Sequence, residues 1–87
     1  PALQMAIGNL HMRMQQYQEA ANAFETLLLE HPDWDHIRGV YTELATCYER
    51  LEDFVNARRV YSHMMEAFPS DSAEYEYAEA KLTGGIE

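Results

Sequence analysis

Within the 87 residues, His31-Pro32-Asp33-Trp34-Asp35-His36 is the one stretch whose residue types fit metal chemistry. Two imidazoles and two carboxylates in six positions are ligand types that zinc accepts. Proline and aspartate are also what a helix end and a new helix start demand, because Asp accepts from the free N–H groups of a first turn. A connection between helices is therefore the preferred reading, and no metal or cofactor is expected. Cys47 is the sole cysteine, which leaves no internal disulfide and no thiolate metal site. Its neighbours Thr46 and Tyr48 offer nothing to activate a thiolate, so it reads as a buried structural residue. The chain has no glycine-rich phosphate loop and no nucleophile beside a base, so no catalytic residue is assigned and it is not read as an enzyme. What remains is the chemistry of recognition. Arg13 and Arg50 suit a carboxylate, and the flexible methionines suit an apolar anchor.

Charge narrows the partner. Fifteen acids against six bases give a net charge of −9. Nucleic acid and anionic membrane surfaces are disfavoured, since phosphate binding needs clustered Lys and Arg. No apolar run approaches the roughly 20 residues that span a bilayer. No signal peptide is legible from Pro1 onward, and the cytoplasm is favoured as the compartment. At 47% hydrophobic the chain is expected to build a core, in one domain.

The elements that position these residues come from a duplication. Tyr17, Ala20, Phe24 and Pro32 recur as Phe54, Ala57, Tyr61 and Pro69, at a constant offset of 37 residues. Upstream, Ile7, Gly8 and His11 correspond to Leu44, Ala45 and Tyr48. Ala20 and Ala57, with Gly8 and Ala45 opposite, allow helices to approach closely, and the aromatics fill the space beside that contact. Each proline ends its unit. Helices are expected at about 2–14, 18–31, 37–50, 54–67 and 72–82. Tight turns fall at Gln15-Gln16 and Glu52-Asp53, with Asp53 an N-cap. The last helix opens on the capping-box-like Asp71-Ser72-Ala73-Glu74 and stops at Gly84-Gly85. Met14 and Met64 read as core, Trp34 as packed against the following unit, and the acidic run from Asp71 to Glu79 as a solvated face.

This pattern resembles the tetratricopeptide repeat, whose signature W-x2-L-G-x2-Y, A-x3-F and P extends over 34 residues. The second half is present twice, as Ala20/Phe24/Pro32 and Ala57/Tyr61/Pro69. The first half is looser, as Gln4, Ile7, Gly8 and His11, then Tyr41, Leu44, Ala45 and Tyr48. The three additional residues per unit fall near Trp34-Asp35-His36 and are expected to lengthen the third helix. A partial third unit shows in Tyr75, Ala78 and Leu82, with Glu79 in the small-residue slot. The expected fold is all-α: antiparallel helix-turn-helix repeats, one over about 1–34 and one over about 35–71. A capping helix over about 72–83 and a short tail, 84–87, complete the domain.

The resemblance implies a protein-interaction module that takes a peptide or helix of a partner in a concave groove. Carried over by position, the groove residues are Met5, Asn9, Met12 and Arg13 from the first helix. The third helix contributes Thr42, Thr46, Glu49 and Arg50, and the last contributes Glu76. One subgroup of the family grips the C-terminal carboxylate of chaperones through Lys, Asn and Arg. Only Asn9 matches that set, and Met5 and Thr42 stand where a cation or amide is wanted. Two repeats and a fraction fall short of the three that such arrays generally need. The apolar Leu3, Ile7, Leu10 and Met14 are one helix short of cover. A slice of a longer scaffold is therefore preferred, and a self-associating homodimer is the alternative.

Overall fold

The computed structural model describes residues 1–84, which form five α-helices and no strand. In chain order they are α1 (Ala2–Arg13), α2 (Tyr17–Glu30), α3 (Ile37–Arg50), α4 (Phe54–Ala67) and α5 (Ala73–Gly84). The predicted boundaries hold to within one or two residues. Gly85, half of the expected C-terminal stop, lies outside the described residues.

Apolar spacing explains the assembly. On α2, Ala20, Ala21, Phe24 and Leu27 recur every three or four residues and are fully buried; on α4, Ala57, Val60, Tyr61 and Met64 do the same. Between them α3 is buried on two sides, through Val40, Leu44 and Cys47 and through Ala45 and Tyr48. Each helix packs against its predecessor and its successor in the chain. Side-chain links divide the helices into two layers. Arg38 reaches Glu74 and Lys81 reaches Glu49, so α3 and α5 run alongside one another in the same direction. Arg59 reaches Glu25, joining α4 to α2 in the other layer.

The duplication is visible in the backbone too. At the end of α1, Gln16 N–H donates to His11 O (2.8 Å) and Gln15 N–H to Met12 O (3.0 Å). At the end of α3, Asp53 N–H donates to Tyr48 O (2.8 Å) and Glu52 N–H to Glu49 O (3.0 Å). Both are Schellman motifs. They place Gln15 (φ 60°) and Glu52 (φ 57°) in the left-handed region, again 37 residues apart. That conformation costs a residue with a Cβ roughly 1–2 kcal/mol, and neither position uses glycine. Asp53 then starts α4 as predicted, accepting from Asn56 N–H at 3.3 Å.

Three expectations are corrected. Trp34, Asp35 and His36 do not lengthen α3; they lie in a six-residue connection, 31–36. Two successive turns close it, Trp34 N–H to His31 O and Ile37 N–H to Trp34 O. Half-buried Trp34 holds this loop against the core, its ring edge on His36 at 5.1 Å. The cap of α5 is Ser72, whose Oγ accepts from Tyr75 N–H at 3.1 Å, and not a box built on Asp71. Met14 is 55% exposed because no helix covers the outer side of α1, whereas Met64 is fully buried.

The closest helix approach is at Gly8. A Cβ there would stand 2.5 Å from Cε1 and 2.7 Å from Cζ of the buried Phe24 ring. Gly39, by contrast, has open space. Alanine gains about 1 kcal/mol of helix propensity at either site, but overpacking costs about 1–3 kcal/mol. Gly8→Ala is thus expected to lower stability, by up to about 2 kcal/mol, and Gly39→Ala to raise it by up to about 1 kcal/mol, measured by urea denaturation. Equal effects of the two would contradict the close approach.

Candidate binding groove

The core leaves one row of side chains on α1, α3 and α5 partly open. Met5 and Met12 are half-buried and rest on the core, with half-buried Asn9 one turn on from Met5. Arg13 and Arg50 are the exposed last residues of their helices. Thr42 and Thr46 are half-buried one turn apart, and Thr46 Oγ1 donates to Thr42 O at 2.9 Å. That bond leaves the Thr46 hydroxyl oxygen able to accept. Glu49 is already engaged, accepting from Tyr61 OH at 2.7 Å and facing Lys81 Nζ at 3.6 Å.

Glu76 stands apart from this row. It is exposed, and two positions on a helix place it about 200° from the fully buried Ala78. From α5 the side chains that turn toward α3 are Glu74, Tyr77 and Lys81. Glu74 pairs with Arg38 at 3.6 Å. Lys81 pairs with Glu49 and lies 5.7 Å from the Tyr77 ring centroid. Their spacing of three and four was legible as one helix face. The repeat signature of α5 is only partial, and correspondence by position there leads to Glu76 and not to this face.

A second feature escaped the sequence entirely. Tyr48 OH donates to Glu25 Oε2 at 2.6 Å, and the Arg59 guanidinium donates to the same oxygen while lying 5.9 Å from the Tyr48 ring centroid. Arg59 Nε also donates to Asn56 Oδ1 at 3.1 Å, and Asn56 Nδ2 to Asp53 Oδ2 at 2.7 Å. This chain of contacts joins α2, α3 and α4 through residues 23 and 34 positions apart. No local spacing announces such a contact.

Cys47 is fully buried, and burial, helped by the charge of Glu43, pushes its thiol from 9.0 to about 11. It is protonated at neutral pH and unsuited to nucleophilic chemistry. His31 and Asp33 line an open recess of about 320 Å³ with Pro1, Glu30, Pro32 and Trp34; Asp35 and His36 do not line it. Among the described residues, no three His, Cys, Asp or Glu side chains are grouped as metal ligands would be. Nor is any helix there long and apolar enough to cross a membrane. The candidate row thus combines exposed cations at the ends of α1 and α3, threonine hydroxyls further back along α3, and methionines resting on the core.

Burial first, then the hydrogen bond to Glu25, raises the Tyr48 hydroxyl from 10.0 to about 12. The folded state therefore holds this proton more tightly than the unfolded chain. The associated stability is complete below pH 10.0 and is lost as pH rises toward about 12. Tyr61 and Cys47 shift in the same sense. Urea midpoints are expected to fall steeply across this range. Tyr48→Phe is expected to lose about 1 kcal/mol at neutral pH and to show a shallower alkaline decline. An unchanged decline would remove Tyr48 as a cause.

A family model described as tetratricopeptide repeat matches residues 11–82. No solved structure matches the chain.

Proposed function

Because the chain belongs to the tetratricopeptide repeat family, a family that generally mediates protein–protein interaction, we propose that it holds a segment of a partner protein along the face of α1, α3 and α5. The observation that supports this is the row of Asn9, Thr42 and Thr46, half-buried on successive odd-numbered helices. These side chains are wedged beside the core without being part of it. Hydroxyl and amide groups at that depth offer hydrogen bonds to a backbone, and Met5 and Met12 beside them adapt to its side chains. Arg13 and Arg50, the last residues of α1 and α3, stand at one end of the row and supply charge-assisted contacts. Within the chaperone-binding subgroup's pattern only Asn9 is in place, so a C-terminal carboxylate is not the favoured ligand.

A second reading, self-association, draws on a different observation. Leu3, Ile7, Leu10 and Met14 are 74%, 42%, 48% and 55% exposed and form one stripe on α1. Their counterparts in the second unit, Val40, Leu44 and Cys47, are fully buried, and Leu51 is partly so. No Asp or Glu precedes Glu19, so this stripe lies on the longest acid-free stretch of a −9 chain, where a second copy is least repelled.

Two experiments separate the readings. Asn9→Arg with Thr46→Arg, folded by circular dichroism, is expected to lose partners that the natural chain retains in affinity capture; equal capture by both would move binding off this face. Leu10→Glu changes neither residue of that row. In sedimentation it is expected to shift the chain to monomer if self-association is the activity, while identical sedimentation of a monomeric natural chain rejects the second reading.

A further inference from the structure

Between α3, α4 and α5 lies a recess of about 160 Å³ lined by Thr42, Met64, Ala73, Glu74 and Tyr77. A cavity of about 150 Å³ with apolar walls accepts a molecule the size of benzene, so this one accommodates one aliphatic or aromatic side chain. Its origin lies in the repeat. Thr42 occupies the position that Met5 holds in the first unit, and Met5 is packed against the core. The shorter threonine leaves unfilled what methionine fills. The recess therefore belongs to the second unit alone.

Its surroundings fix the chemistry of the occupant. Met64, fully buried, supplies an adaptable apolar floor, and Ala73 and the Tyr77 ring supply apolar walls. Glu74 supplies the charge. Arg38 already faces it at 3.6 Å and lies 5.6 Å from the Phe68 ring centroid, but its side chain is 63% exposed, and a pair with one partner so exposed is worth about 1 kcal/mol. An incoming cation competes for Glu74 at little cost. Glu74 is the one charged side chain in the lining; the cations nearest it are Arg38, paired with it, and Lys81, which is paired with Glu49 and lies 5.7 Å from the Tyr77 ring centroid.

We propose that this recess is the anchor subsite of the groove, taking one apolar side chain of a peptide that carries Lys or Arg directly beside it. The proposal rests on the groove reading above and gives it a specificity. An apolar anchor flanked by acids is disfavoured, because its carboxylate would meet Glu74. An anchor flanked by a neutral residue binds, but without the charge-assisted contact.

The test uses a random 12-residue peptide library displayed on phage against the natural chain, followed by amide chemical-shift mapping with the enriched peptide. Enriched peptides are expected to pair one Leu, Met, Ile or Phe with an adjacent Lys or Arg and to shift Thr42, Ala73 and Tyr77. Thr42→Met, which copies the first unit and fills the recess, is expected to weaken that peptide about tenfold, the scale of one lost apolar side chain. Ala73→Leu, which fills the recess from the other wall, is expected to do the same. Glu74→Gln is expected to reduce the preference for the adjacent cation while keeping the apolar anchor. Peptides that shift Asn9 and Thr46 and ignore both filling variants would overturn the recess proposal and leave the groove reading standing. Failure to enrich any peptide would overturn both.

Discussion

The fold depends on how closely the helices of a pair can approach. In the first unit the limit is set by Gly8 against the ring of Phe24, where even a methyl group has no room. In the second unit Ala45 and Tyr61 hold the same positions and both are fully buried. Small residues on one helix and a large aromatic on the next form an interlock in which neither side tolerates a change of volume. That interlock fixes the separation of each pair. It thereby sets where the outward faces of α1 and α3 stand, and with them every side chain available to a partner.

Most of the architecture was legible because it is written in periodic terms. The offset of 37 residues carries both the buried stripes and the Schellman turns, so helix count, boundaries and pairing followed from it. The misreadings lie where periodicity stops. Trp34, Asp35 and His36 were assigned to a helix on the strength of the offset, but the turn-forming 31–36 segment absorbs them. Ser72 caps α5 because the chain bends back on Pro69, with Ser72 N–H donating to Pro69 O at 2.9 Å. Met14 has the spacing of a core residue but lies on a helix with a neighbour on one side only.

The half-buried row was legible on α1 and α3, and the α5 face beside it was not. Family correspondence placed a row on α1 and α3, and the structure finds those residues half-buried beside the core or exposed at helix ends. On α5 the signature is incomplete: the expected Glu76 is exposed, and it is Glu74 that reaches α3, through Arg38. The contacts of Glu25 with Tyr48 and Arg59 were invisible for another reason. They join polar residues from three helices, and nothing in a single sequence pairs a carboxylate with a hydroxyl 23 positions away.

The two kinds of connection in this chain also distribute its stiffness unevenly. Within each unit, three residues carry the chain from one helix to the next, locked by a Schellman turn that runs directly into the following helix. Between units, the links are the longer 31–36 and 68–72 segments. The longer seam is stiffened instead by side chains: α2 packs on α3, and Glu25 accepts from Tyr48 and Arg59 across it, so a load along the stack would be carried by that contact and not by the 31–36 backbone.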